Sequence, residues 1–250
     1  MELRPLGASG ILVSSIGLGT VKLGRAAGVK YPTPVRIPDD AQAAYLLEFA
    51  AEMGINLIDT APAYGTSEER LGGLLARTRD RWVICTKVGE EFDGTESRFD
   101  FSPTAVRASV ERSLRRLRTD RADIVLVHSD GHAELRLEEL GTLDALRDLK
   151  GRGLIRAFGV STKSLEGALR AIRSCDCIMV TLNPDQTADL PAIDAAQKAG
   201  VGVLVKKALS SGHAADPIRA VRFALGTPGV SSVIIGTTNP EHLGCFRSPL

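Results

Sequence analysis

Four side chains of the kinds that hold and move protons stand at matching places along this chain. Asp59 ends the apolar run INLID, Lys87 ends WVICTK and His128 ends DIVLVH. Tyr64, one of three tyrosines, follows Asp59 by five residues in Asp-Thr-Ala-Pro-Ala-Tyr-Gly. A charged group at the end of a buried segment is costly unless it is paired. Three such groups on consecutive segments therefore ask to be brought together, and a five-residue loop can return the Tyr64 phenol to them. A free phenol has a pKa near about 10 and is a poor acid at neutral pH. An adjacent ammonium favours the phenolate and makes the phenol more acidic. Asp59 would keep Lys87 charged and aimed. His128 would hydrogen-bond the same substrate oxygen and orient it. Such a group suits protonation of an oxygen that turns negative as hydride reaches its carbon. Each residue also has a plainer reading: a structural ion pair for Lys87 and Asp59, a satisfied histidine for His128, loop packing for Tyr64.

The elements that must position these groups are legible as eight short apolar, β-branched runs: Ile16–Gly19, Ile55–Asp59, Trp82–Lys87, Asp123–His128, Leu154–Val160, Ile178–Leu182, Val201–Val205 and Ser232–Ile235. Runs this apolar are expected of parallel strands buried on both faces. Between them lie helix candidates: Asp39/Asp40 to Met53, Thr66–Arg77, a helix opened by Ser102-Pro103, Glu138–Lys150, Ser164–Arg173, Leu190–Ala199, Asp216–Leu225 and Pro240–Phe246. Ser102 before Pro103 is an N-cap followed by proline at the first helical position. Val106, Val110, Leu114 and Leu117 follow at helical spacing. Eight strand–helix units of about 31 residues are βα repeats in size. They predict an α/β chain folded as a single (β/α)₈ TIM barrel over residues 1–250. Working residues of such a barrel sit at the carboxyl ends of its strands, where Asp59, Lys87 and His128 fall. Residues 3–14 read as an N-terminal β-hairpin turning at Ala8-Ser9-Gly10, a plug for the barrel's N-terminal end. Cys85 shares the inward phase of Lys87 and should lie beneath it.

Composition narrows the function. Thirty-one Lys and Arg stand against 30 Asp and Glu, a net charge of +1. That balance gives no bulk attraction to nucleic acid or to an anionic membrane. The basic stretches Arg77–Arg81 and Arg112–Arg121 read as solvated helix faces. Hydrophobic residues at 44% and charged residues at 24% are those of an ordinary globule. No run approaches the length of a membrane helix, and no secretory signal is evident at the start. Four unevenly spaced cysteines suggest free thiols and a reducing cytoplasm rather than a disulfide scaffold or a metal site.

DTAPAYG followed by SEERLG, the Thr86-Lys87 pair, the strand-end His128, the N-terminal LRPLGASGILVSSIGLGT, Gly159-Val160-Ser161 and IIGTTNPEHL together resemble the aldo-keto reductase family, in order and over essentially the whole chain. The resemblance implies a (β/α)₈ barrel and a nicotinamide cofactor, NADPH with NADH possible, bound without a Rossmann domain. It implies a catalytic tetrad of Asp59, Tyr64, Lys87 and His128, with Tyr64 as the proton donor to a small-molecule carbonyl substrate. Cofactor contacts are expected at Gly19, Thr20, Ser161, Thr162, Asn183, Lys206, Lys207, Leu209, Ser211, Gly236, Thr237, Thr238 and His242. Thr162 stands where the family carries Asn, and Thr181 where it carries Gln. After the seventh strand, Lys206-Lys207 replaces an aromatic, and the pair would meet a pyrophosphate as point charges. The start of the last helix, Gly236–His242, offers hydroxyls and N–H groups to a 2′-phosphate. The chain ends soon after the eighth strand, so the pocket is expected to be open and built from short loops at 21–38, 90–101 and 129–135. Acidic Glu90, Glu91 and Asp93 and the aromatics Phe92, Phe99 and Phe101 line the second loop. Two alternatives remain at this point. One is a cofactor-binding sensor or partner subunit with little turnover; the other is a barrel enzyme that uses Lys87 as a Schiff-base lysine. Substrate and oligomeric state are not written in these motifs.

Overall fold

Eight parallel strands close on one another in the computed structural model, which describes residues 1–29 and 31–247. They are β3 (Ile16–Gly19), β4 (Leu57–Asp59), β5 (Val83–Val88), β8 (Ala122–His128), β9 (Ile155–Ser161), β10 (Cys177–Thr181), β11 (Gly202–Lys206) and β12 (Val230–Gly236). Each pairs with the next, and β12 returns to β3, with Val233 opposite Ile16 and Gly236 opposite Gly19. All eight expected strands are therefore present, displaced by at most two residues at either end. Lys30 and residues 248–250, which belong to the expected 21–38 loop and the expected single domain, lie outside the described residues.

Helices follow the strands: α1 (Val21–Gly24), α2 (Asp40–Glu52), α3 (Ser67–Leu74), α4 (Pro103–Leu117), α5 (Thr142–Gly151), α6 (Leu165–Ala171), α7 (Leu190–Ala199), α8 (Pro217–Gly226) and α9 (Pro240–Gly244). Their starts obey the capping chemistry. Asp39 accepts from the Gln42 amide in a full capping box. Ser102, Ser164, Asp216 and Asn239 each accept a backbone N–H of the first turn. Two ends differ from the sequence expectation by more than two residues. α5 begins at Thr142 rather than Glu138, because Gly141 adopts a left-handed conformation and breaks the preceding turn. α3 stops at Leu74, after which the chain tightens through Thr78 N–H to Leu75 C=O.

Strand alternation divides the core into two layers. Outward residues such as Ile58, Ile84, Val125 and Val203 pack under the helices. Inward residues Leu57, Val83, Cys85, Ile124, Leu126, Ala157, Cys177, Met179 and Leu204 fill the barrel. The barrel's N-terminal end is closed by the expected hairpin, β1 (Leu3–Pro5) paired with β2 (Leu12–Ser14), whose Leu6, Ile11 and Val13 join the inner layer. A second hairpin, β6 (Glu90–Phe92) with β7 (Ser97–Phe99), stands where the sequence suggested only a loop. Asp93 turns it, accepting from the N–H groups of Thr95 and Glu96.

Candidate active site

The inward phase that places Leu57, Cys85 and Leu126 inside the barrel carries Asp59, Lys87 and His128 to its carboxyl-terminal mouth. Lys87 is 1% exposed and Asp59 4%. The Lys87 Nζ donates to Asp59 Oδ1 at 2.6 Å and to the Thr60 carbonyl at 2.9 Å. Burial alone would pull this ammonium down. The attraction of Asp59, with smaller ones from Tyr64 and Cys85, outweighs it and raises the Lys87 pKa above its ordinary value. Lys87 is thereby held as an ammonium, with no free amine to attack a carbonyl. Cys85 lies buried beneath it, as its phase required.

Tyr64 reaches the same mouth from a single 3₁₀ turn, Pro62–Tyr64. Its ring centroid lies 4.8 Å from Lys87 Nζ. It meets the His128 ring edge-on at 6.1 Å and 85°. The turn is fixed by close approach: a Cβ on Gly65, at φ +61°, would fall 2.2 Å from the Gly24 carbonyl. On sequence alone, Lys87 makes the phenol more acidic. The structure reverses the net direction. Burial pushes the Tyr64 pKa up, the Lys87 charge offsets this only in part, and Asp59 adds to the rise.

His128 brings in Glu90, which on sequence alone was one of three acids on a pocket loop with no link to the histidine. Oε2 of Glu90 lies 2.7 Å from His128 Nδ1. Despite this approach, Nδ1 makes no hydrogen bond of good geometry. Burial lowers the His128 pKa, and the Lys87 and Lys206 charges lower it further; Glu90 pulls the other way. Although burial opposes it, Glu90 is itself held down at about 2 by His128, Ser97 and Arg25. The available signal was Asp93-Gly94 between two short runs, a hairpin turn that places Glu90 three residues past Lys87 on a strand.

The remaining expected residues ring the same mouth. Gly19 and Gly236 end paired strands without side chains. Thr20 is buried, its hydroxyl donating to the Asp59 carbonyl and accepting from Ser67. Lys206 does not point outward from its strand end. Its Nζ crosses the mouth to Ser161 Oγ at 2.9 Å and the Thr162 carbonyl at 2.6 Å. Burial, reinforced by Lys207 and Lys87, lowers its pKa to about 7. Thr162 keeps a buried hydroxyl without a partner. Asn183 ties the loop after β10 to the loop after β11 by donating to the Lys207 carbonyl at 3.0 Å. Lys207, Ser210 and Ser211 have left-handed φ of 57°, 47° and 57°. Leu209, between them, packs partly on the core. Strained backbone in non-glycine residues gathers at functional segments. Thr237 shares a 3.2 Å hydrogen bond with the exposed His242, while Thr238 is half-buried at the opening of α9. Among the described residues no group of three His, Cys, Asp or Glu could hold a metal ion.

This arrangement can be set beside known proteins. The model of the Aldo/keto reductase family matches residues 15–219. A solved structure of a Pseudomonas aeruginosa protein described as an aldo-keto reductase is 53% identical. It superposes with a TM-score of 0.89 over 97% of this chain and 92% of that one. The D-threo-aldose 1-dehydrogenase of a Pseudomonas species is 27% identical over 88% of this chain and 73% of its own length. The L-galactose dehydrogenase of Arabidopsis thaliana is 38% identical over 66% of this chain and 50% of its own.

Proposed function

Because the chain belongs to the aldo/keto reductase family, we propose that it is an NADPH-dependent carbonyl reductase, converting an aldehyde or ketone to an alcohol with Tyr64 as proton donor. The observation that carries this reading is the packing of a buried, Asp59-paired Lys87 ammonium against the Tyr64 ring, with His128 meeting the same ring edge-on. A bound nicotinamide cofactor would supply the hydride. Tyr64 hydrogen-bonds the carbonyl oxygen. Its raised pKa keeps it protonated at working pH, and it releases the proton only as that oxygen becomes an alkoxide. Lys87 then stabilises the phenolate left behind, and Asp59 holds Lys87 in place and charged. An ammonium held charged in this way does not fit a Schiff-base role for Lys87.

The mouth fits a nicotinamide cofactor. Ser161 and the unpartnered hydroxyl of Thr162 suit a carboxamide. The side-chain-free ends at Gly19 and Gly236 leave it room. The strained segment with Lys207, Leu209 and Ser211, together with Asn183, Lys206, Thr20, Thr237, Thr238 and His242, would hold the rest. Lys207 and the hydroxyls before α9 favour the 2′-phosphate of NADPH over NADH. The near-neutral surface fits a small-molecule substrate rather than nucleic acid. Free cysteines, three of them buried, fit the cytoplasm. The test is a set of aldehydes and ketones assayed with NADPH and with NADH at the nicotinamide absorbance. Oxidation of NADPH at a higher kcat/KM than NADH supports the reading. Cofactor binding without turnover of any carbonyl refutes it.

A further inference from the structure

Two lysine amines reach into the barrel mouth, and only one has a carboxylate to cancel its charge. Lys87 is paired with Asp59. Lys206 ends β11 beside Thr181 of β10, and its partners are a hydroxyl and a carbonyl, Ser161 Oγ at 2.9 Å and Thr162 at 2.6 Å. Two acids favour its charge, Glu134 after β8 and Asp189 before α7, but both are engaged elsewhere. Glu134 accepts from Ser129 Oγ at 2.5 Å, from the Lys163 N–H at 2.9 Å and from Ser164 Oγ. Asp189 accepts from the Thr181 N–H at 3.0 Å. Neither forms an ion pair with Lys206. Lys207 on the same segment and Lys87 from β5 oppose its charge. His128 from β8 feels that charge in turn.

Ser161 and Thr162 are also the pair suited to a carboxamide, Thr162 through a buried hydroxyl that has no partner. A ring whose carboxamide takes these two residues therefore lies beside the Lys206 amine. A nicotinamide ring is neutral when reduced and carries one positive charge when oxidised. An uncompensated ammonium repels the second form and is indifferent to the first.

We propose that Lys206 is a specificity-determining residue that reads the redox state of the nicotinamide, its charge retaining the reduced cofactor and expelling the oxidised one. This inference rests on the reading of the mouth as a nicotinamide site. Lys206 discriminates only while it is protonated. Burial, with Lys207 and Lys87, sets its pKa at about 7. Discrimination is therefore present at pH 6 and lost by pH 9.

The test is isothermal titration calorimetry of wild type and Lys206→Met with NADPH and with NADP⁺, at pH 6 and pH 9 and equal ionic strength. The phosphates are common to both cofactors, so the ratio of their Kd values isolates the ring. Two unit charges about 4 Å apart repel enough, even at the dielectric constant of water, for about a fivefold effect. The wild-type ratio Kd(NADP⁺)/Kd(NADPH) should therefore fall by about fivefold from pH 6 to pH 9. In Lys206→Met it should be low at both. A wild-type ratio that does not change with pH overturns the proposal, and so does a change that Lys206→Met shares. Tighter binding of both forms by one factor in Lys206→Met at pH 6 also overturns it, since Lys206 would then only be displaced from Ser161. Binding of neither form would remove the nicotinamide reading together with this inference, whereas binding of both at a pH-independent ratio removes the inference alone.

Discussion

Asp59→Asn removes a charge while preserving shape, and the structure sets what that should cost. Its partner Lys87 is 1% exposed, 2.6 Å away, with a carbonyl as its other acceptor. An ammonium so placed keeps its charge through Asp59 against the pull of burial. Removing one member of a buried ion pair costs about 3–5 kcal/mol, because the other is left uncompensated. In a chain of this size each kcal/mol shifts Tm by roughly 2–4 °C, so the variant should melt about 6–20 °C lower. Lys87→Met should lose stability for the same reason, by stranding Asp59. The double variant Asp59→Asn/Lys87→Met leaves neither charge and should recover most of either loss, with a coupling energy of about 2 kcal/mol or more. Urea unfolding of the four proteins, followed by circular dichroism, measures this. A loss below about 1 kcal/mol in Asp59→Asn, or losses that simply add, would show that the strand-end charges do not depend on each other.

Other groups of the mouth give tests of their own. Lys206, held at about 7 against an ordinary value of 10.5, binds its proton less readily folded than unfolded. Its charge therefore opposes folding below pH 10.5, and the penalty grows until about pH 7. Lys206→Met should raise Tm relative to wild type more at pH 7 than at pH 10; an equal shift at both would refute the burial argument. Glu90 behaves in the opposite way. Its folded pKa of about 2 lies below the usual 4.5, so its contribution is full above 4.5 and is lost as pH falls towards about 2. The Tm gap between wild type and Glu90→Gln should be wide at pH 6 and much narrower at pH 2.5. A gap that does not narrow would mean that the carboxylate is not stabilised by its neighbours.

The barrel was legible in the sequence because its strands are short, apolar and bounded by turn residues, and three consecutive inward phases end on a polar group that needs company. Asp59, Lys87 and His128 could be assigned to one mouth on phase alone. Leu6, Ile11 and Val13 plug the opposite end as their hairpin pattern predicted. Electrostatic sign was less legible. Spacing revealed that Lys87 would stand near Tyr64, but the depth of burial that outweighs its charge depends on packing from several strands. Lys206 illustrates the same limit. As one of a lysine pair after a strand it read as a point charge for a pyrophosphate, whereas its inward phase, shared with Leu204, sends the amine across the mouth to Ser161. Glu90 was hidden differently: its partner lies 38 positions on, and only the hairpin turn at Asp93-Gly94 hinted that the segment was rigid enough to deliver a carboxylate to His128.

The role of Tyr64 is tested most directly by single-turnover reduction of a carbonyl substrate by Tyr64→Phe saturated with NADPH. The substitution removes one hydroxyl and leaves the ring against Lys87 and His128, so cofactor affinity should stay within a few-fold of wild type. General acid catalysis contributes about 10²–10⁴-fold, and the hydride-transfer rate should fall by at least that much. A Tyr64→Phe protein that reduces the carbonyl at near the wild-type rate would contradict the assignment of this phenol as the proton donor.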